Sequence, residues 1–283
     1  MFKARTSEET TVQLEIITIY AVCDEVLQAM GVTDDVQATM TTAEVMNTAL
    51  VAARFFGGCL EHSRAMLKDE HYVPRMLGKS RFNRRLHAIP ESLWQAVLSA
   101  VAQAHHILNA ENEYVIDSFP VAVCDNIRIR RCRIYQDEAY RGYCASKKRY
   151  VYGLKAHVVV TATGAPVEVV LSPASYHDGR MGKTLHLDLP EGATVYGDAA
   201  YTDYGWEDAL AETGQVRLHA ARKSNSKRQH PPYVRYLAER VRKTVETTFS
   251  EITDQIGRRI HAVTQRGFEL KVFLFVLAFA ICC

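Results

Sequence analysis

The hydrophobic pattern of the chain changes its period near residue 110, and this change constrains the fold more than any other feature. Before it, apolar residues recur at helical spacing in TVQLEIITIYAVCDEVLQAM (11–30) and in TTAEVMNTALVAARFF (41–56), which predicts amphipathic helices. Thr41 followed by Glu44 is typical of a capping box and sets the start of the second of these helices. Strand patterns are nearly absent here, so we predict an all-helical region over residues 1–110.

Residues 111–283 alternate short β-rich segments with helical ones. The segments with strand composition are EYVIDSF, YVYGLKAHVVVTA, APVEVVL, ATVYGDA and QVRLHA. A turn at residues 163–166 predicts a hairpin between the second and third strands. Helices are expected at about 182–187, at 202–214 and over 231–260. This order, three strands, a helix, a strand, a helix, a strand and a long helix, predicts an α/β, RNase H-like fold with a mixed sheet flanked by helices.

Composition limits the class of protein. Hydrophobic residues make up 48% of the 283 residues, enough for a core, and a net charge of +2 gives no global attraction to nucleic acid or membrane. The seven cysteines form no C-x-x-C pair, which favours reduced thiols and a cytoplasmic location. The apolar run VFLFVLAFAICC (272–283) is shorter than the roughly 20 residues of a membrane span. We therefore expect a buried C-terminal helix and no membrane partner.

Three carboxylates are expected to converge in this order of elements. Asp117 lies in the first strand and Asp198 closes the fourth, so adjacent central strands would bring them together. Glu246 lies on the long helix, about 110° from the centre of its apolar stripe, where it can reach the end of the sheet. Such an oxygen-rich site suits two Mg²⁺ or Mn²⁺ ions, which can activate water at a phosphodiester.

Each carboxylate also has a simpler interpretation. Asp198 after a glycine is typical of a turn or helix-cap aspartate, and Asp117 could be a strand-end residue bonded to backbone. Glu246 with Arg242 forms an i, i+4 pair of the kind common on helix surfaces. The metal-site hypothesis depends on their joint placement in one topology.

Ordered blocks along the chain carry a resemblance to a known family. The blocks are IDSFP, RGYCASKK, YGLKAHVV, LSPASYHD, GDAAY, ARKSNSKR, VETTFSEI and IHAVTQRGFELKV, with SRFNRR at 80–85. They are similar to the insertion-sequence 982 family, whose members are Asp-Asp-Glu recombinases. The resemblance implies an RNase H-like catalytic domain and the triad Asp117, Asp198 and Glu246. Around the glutamate, Arg242 matches a signature of related transposases, whereas Glu239 and Thr253 replace its tyrosine and lysine.

Clusters of basic residues flank the proposed site and predict contacts with DNA phosphates. The candidates are Arg81, Arg84, Arg85, Arg130, Arg131, Lys147, Lys148, Arg222, Lys223, Lys227, Arg228 and Arg242. The first three could open a helix that reads terminal repeats, as in a helix-turn-helix, or belong to a basic connecting helix. His177 and Asp178 match a family block, and their simplest role is to cap the following helix; we give them a secondary site role.

The resemblance implies a DNA transposase with a helical DNA-binding region (1–110) and a catalytic domain (111–283). Activated water would cut the ends of the element, and the resulting 3′ hydroxyl would attack target DNA without a covalent enzyme intermediate. A homodimer on paired ends and a nucleoid-associated location are expected. Two alternatives are a metal-dependent nuclease without strand transfer and a non-catalytic DNA-binding protein derived from a transposase.

Overall fold

A computed structural model describes residues 7–144, 148–256 and 260–283. It divides the chain into two compact units. The first comprises residues up to Val101 together with Leu274–Cys283, and the second comprises Ala102–Phe273. Residues Leu274–Cys283 are therefore grouped with the N-terminal helices in one compact unit.

The first unit is helical. It contains α1 (Ser7–Ala29), α2 (Thr42–Phe55), α3 (Leu60–Asp69) and α4 (Lys79–Ala88). It also contains the part of α5 (Glu91–Leu108) that ends at Val101 and the part of the C-terminal helix that begins at Leu274. The predicted capping box is confirmed, because Thr41 Oγ1 accepts from Glu44 N at 3.1 Å and Glu44 Oε2 accepts from Thr41 N at 2.7 Å. α2 is buried along most of its length and packs against α1, α3 and α4.

In the described part of the second unit, six strands form one mixed sheet. They are β1 (Glu113–Asp125), β2 (Arg141–Cys144), β3 (Arg149–Thr161), β4 (Pro166–Pro173), β5 (Thr194–Gly197) and β6 (Arg217–Ala220). The main order is β2-β3-β1-β5-β6, with β4 also paired to β3. β1 is antiparallel to β3 and parallel to β5, and β5 is parallel to β6. The predicted hairpin is confirmed as β3–β4, while β2 was not predicted.

Helices cover both faces of the sheet. The helices of this unit are α6 (Asp178–Gly182), α7 (Tyr204–Thr213), α8 (Pro232–Ile256) and α9 (Gln265–Ile281) up to Phe273. Ile116 of β1 lies in a core that α7 covers with Trp206 and Leu210. On the opposite face, Phe249 of α8 stacks 5.0 Å from Phe119 between ring centroids. The RNase H-like fold predicted from the order of elements is thus confirmed.

The predicted position of a helix at 182–187 is wrong. α6 ends at Gly182, and the following residues instead bond to Glu168 of β4. Glu168 Oε1 accepts from His186 N at 2.7 Å, and Oε2 accepts from Leu187 N at 3.1 Å. Leu187 has a φ of 48°, which does not continue an α-helix. A carboxylate from a distant strand therefore takes the N–H groups that a helix would have used.

The C-terminal helix is buried as predicted, with every residue of Val272–Ala280 inaccessible to solvent or nearly so. Among the described residues, none of the helices combines the length and apolar character needed to cross a membrane.

Candidate active site

Two aspartates lie next to each other where the parallel pairing of β1 with β5 ends. β1 and β5 run parallel, and their last paired residues are Ile116 and Gly197. Asp117 and Asp198 come directly after these residues, and neighbouring strands lie about 4.8 Å apart. The glycine permits this approach, because a Cβ at Gly197 would lie 3.0 Å from Ile116 Cγ2. The topology therefore brings together two of the three carboxylates selected from the sequence.

The pKa of the Asp117 carboxyl group is strongly shifted by its surroundings. Burial raises the pKa of its carboxyl to about 6, against a hydrogen bond of 2.8 Å from Ser118 N to Oδ1 that lowers the pKa. The charge of Asp198 raises this pKa further, and the Arg242 guanidinium lowers it. An opposite charge favours the ionised form of a carboxyl group. This edge of the sheet therefore has the electrostatic character of a cation site.

Asp198 is also a helix cap. Its Oδ1 accepts a hydrogen bond of 2.7 Å from Ala200 N at the start of the 3₁₀ helix Ala199–Tyr201. The simpler interpretation of this residue is thus correct, yet it does not compete with a ligand role, since a carboxylate has about four lone-pair sites on two oxygens. The cap holds the carboxylate in one orientation at the end of β5.

Glu246 is placed differently from the two aspartates. It lies on α8 with its side chain exposed to solvent, one turn after the Arg242 that influences Asp117. Within residues 7–144, 148–256 and 260–283, no three His, Cys, Asp or Glu side chains come close enough to hold a metal ion. The structure therefore brings Asp117 and Asp198 together and leaves Glu246 outside that pair.

The donor chemistry at the aspartate pair fits a hard divalent cation. Carboxylate oxygens are the ligands that Mg²⁺ and Mn²⁺ prefer. Burial and Asp198 both disfavour the ionised form of Asp117, and a bound cation would relieve that cost. Asp117 and Asp198 are the residues that could hold such an ion.

A polar cluster occupies the other face of the sheet, next to the aspartates. Ser118 follows Asp117, so the two side chains point to opposite faces. Asp178, the first residue of α6, accepts from Lys155 Nζ at 2.8 Å and from Ser118 Oγ at 3.1 Å. Through Asp178, these hydrogen bonds link α6 to Lys155 of β3 and to Ser118 of β1, the residue after Asp117. Asp178 is therefore tied to the site through Ser118, while His177 caps α6 by accepting from Gly179 N at 3.2 Å, the role predicted for it.

His157 completes this cluster, although it was not selected as a candidate site residue from the sequence. Its ring nitrogens lie 3.3 Å from the Tyr201 hydroxyl and 2.9 Å from Ser172 Oγ. Burial lowers the pKa of His157 to about 4, so the ring is neutral at pH 7. Lys155 and His157 are polar residues two positions apart in the largely apolar strand β3, and that spacing was the available signal that both side chains face the same side of the sheet.

Two of the arginines predicted to contact DNA, Arg222 and Arg228, form ion pairs with carboxylates of α7. Arg222 is buried and forms a two-pronged pair with Glu207, including an Nη1 to Oε1 distance of 2.7 Å. Arg228 forms a similar pair with Asp208 at 2.6 and 2.9 Å on the surface. Both guanidinium groups lie near the ring of Tyr204.

The remaining predicted basic residues have varied surroundings. Arg85 is half-buried and donates to Asp34 Oδ1 at 3.1 Å, and Lys147 lies outside the described residues. Those with exposed side chains are Arg81, Arg84, Arg130, Arg131, Lys148, Lys223 and Lys227. Arg81 and Arg84 lie on α4, which follows α3 after residues 70–78, a longer connection than the three or four residues of a helix-turn-helix.

The comparison with protein families identifies one match. The model of the transposase DDE domain family matches residues 109–281, more than half of the chain. The matched segment contains all six strands and both aspartates. No curated protein and no solved structure matches the chain.

Proposed function

We propose that this chain, which belongs to the transposase DDE domain family, is a DNA transposase that cleaves the ends of its insertion sequence and joins the 3′ hydroxyl groups to target DNA. The pairing of Asp117 with Asp198 at the carboxyl edge of an RNase H-like sheet supports this proposal most directly. The finer assignment to the insertion-sequence 982 family is part of the proposal.

Asp117 and Asp198 would hold Mg²⁺ or Mn²⁺, two ions in the working site, and Glu246 would be the third ligand. A divalent cation bound there would supply activation of the attacking oxygen and stabilisation of the leaving oxygen. Glu246 is exposed, so its side chain must turn towards the edge of the sheet to join the pair. Arg242 favours the ionised form of Asp117, which keeps this carboxyl ready to bind a cation.

DNA binding is proposed for both parts of the chain. Exposed Arg81 and Arg84 on α4 suit contacts with terminal repeats by the region 1–110, and the domain 111–283 would act on the scissile strand. Joining two ends in one reaction requires two active sites, so we propose a homodimer on paired ends. A cytoplasmic, nucleoid-associated location follows from a DNA substrate of this kind.

The test is cleavage and strand transfer on labelled DNA that carries the ends of the element, with Mg²⁺ or Mn²⁺. The intact protein is compared with Asp198→Asn. The matched control is Asp188→Asn, since Asp188 is an exposed aspartate that does not belong to the pair. We expect the Asp198 variant to retain DNA binding and lose both products, while the control resembles the intact protein.

Other outcomes separate the alternatives. Cleavage without a strand-transfer product would indicate a metal-dependent nuclease. Binding without chemistry in the intact protein would indicate a DNA-binding protein derived from a transposase. Full cleavage by the Asp198 variant would remove the aspartate pair from the mechanism.

A further inference from the structure

The loop between β6 and α8 begins at the edge of the sheet that carries the aspartates. Gly197 of β5 pairs with Ala220 of β6, so Ala221 and Asp198 are the next residues of two neighbouring strands. Ala221 N donates to Gly197 O at 2.9 Å, and Thr202 Oγ1 donates to Ala221 O at 3.1 Å. We call residues 221–230 the basic loop, and it starts beside Asp198.

The side chains of Tyr204 and Gln229 form hydrogen bonds with the backbone of the basic loop. The Tyr204 hydroxyl accepts from Lys227 N at 3.1 Å and from Arg228 N at 3.4 Å. Gln229 Nε2 donates to three carbonyl oxygens within the loop, with distances of 3.0 Å to Lys223 O, 3.4 Å to Ser224 O and 3.1 Å to Ser226 O. A loop held by its own hydrogen bonds loses less conformational entropy when a ligand binds.

The four cations of the loop fall into two classes. Arg222 and Arg228 each face a carboxylate of α7, and their charges are neutralised within the protein. Lys223 and Lys227 are exposed, and neither forms an ion pair with a residue that the structure describes. The basic loop, which begins beside Asp198, thus carries two exposed ammonium groups that an external anion can contact.

We propose that the basic loop is a prefolded phosphate-binding loop, in which Lys223 and Lys227 contact backbone phosphates of the DNA strand next to the scissile phosphodiester. Arg222 and Arg228 instead anchor the loop to α7. The proposal rests on the proposed function, because it takes DNA as the ligand. An edge with two carboxylates repels a polyanion, and two exposed ammonium groups beside it offset that repulsion.

The test measures DNA affinity against salt concentration. Full-length protein is titrated with a fluorescent DNA duplex in EDTA, so that no cleavage occurs. In such a titration the slope of log K against log salt falls by about 0.9 for each DNA phosphate that the protein no longer neutralises. We expect Lys223→Ala and Lys227→Ala each to reduce the slope by this amount, so that over a tenfold rise in salt the affinity of each variant falls about eightfold less than that of the intact protein.

Arg228→Ala is the matched control, since it removes the same charge from the same loop. We expect its slope to equal that of the intact protein. Gln229→Ala changes no charge, and removal of its three hydrogen bonds within the loop should weaken binding about threefold to tenfold at fixed salt. Circular dichroism of each variant checks that the rest of the fold is retained.

The outcomes distinguish this proposal from the proposed function. Slopes unchanged in both lysine variants, or reduced equally by Arg228→Ala, would overturn the division of roles while leaving a DNA transposase in place. A Gln229 variant with undiminished affinity would overturn the prefolding. An intact protein that binds no duplex at low salt would overturn both proposals.

Discussion

Replacing Asp117 with asparagine should stabilise the metal-free protein at neutral pH. The pKa of this carboxyl rises from its ordinary value of 3.8 to about 6 in the folded protein, chiefly through burial. A difference of one pKa unit corresponds to about 1.4 kcal/mol, so ionised Asp117 costs the folded state roughly 3 kcal/mol at pH 7. Asparagine removes the charge and retains an oxygen that can accept from Ser118 N.

The sign of the pH dependence follows from the raised pKa. The stability associated with protonated Asp117 is fully present below pH 3.8, the ordinary pKa, and is lost as pH rises through about 6. The intact protein should therefore lose stability across this interval, and the Asp117→Asn variant should not. Above it the variant should melt roughly 6–12 °C higher.

The assay is thermal unfolding in EDTA from acidic to neutral pH, followed by circular dichroism. Asp208→Asn is the control, because Asp208 is exposed and its pKa is lowered by the hydrogen bond from Arg228; this variant should gain no stability. Added Mg²⁺ should raise the midpoint of the intact protein and not that of Asp117→Asn. A variant that melts at or below the intact protein at pH 7 would refute the argument that Asp117 is a desolvated charge.

Three further substitutions test the packing around the site by denaturant unfolding. Arg222→Ala leaves buried Glu207 without its partner and should cost about 3–5 kcal/mol; a loss below about 1 kcal/mol would contradict a desolvated pair. Gly164 has a φ of 97°, and a Cβ added there would contact α8, so Gly164→Ala should cost about 1–3 kcal/mol. The cost should be smaller for Gly192→Ala, because Gly192 has a φ of 79° but an added Cβ would meet open space. Phe249→Ala removes a ring that is 8% exposed and should cost about 3–5 kcal/mol; a smaller loss would mean that α8 does not depend on this ring.

The order of elements was predictable because it is encoded locally. The Thr41 to Glu44 spacing gives a capping box, and residues 163–166 give the turn of a hairpin. The predicted apolar stripe of α8 begins at Leu237, which is half-buried, and its other members are buried at helical spacing: Val241, Val245, Phe249, Ile252 and Ile256. Period and turn chemistry depend on neighbours within a few positions, so a single sequence contains them.

Part of the candidate site was also predictable. An aspartate within one strand pattern and an aspartate at the end of another are visible in the sequence, and the parallel pairing of these strands places Asp117 and Asp198 side by side. The exposed position of Glu246 was harder to predict from the sequence, because the distance between Glu246 and the aspartate pair depends on how α8 lies on the sheet.

Only the tertiary structure decided the interactions between residues that are far apart in the chain. Glu168 bonds the backbone at His186 and Leu187 and displaces a predicted helix. Likewise, composition shows Arg222 and Lys223 as two equivalent cations, whereas Glu207, fifteen positions before Arg222, neutralises only the arginine. The sequence by itself determined the periodic elements and the two aspartates, since both follow from local pattern. Which charges remain free to meet a ligand was decided by folding, because a carboxylate neutralises only the cation that the fold brings within hydrogen-bonding distance.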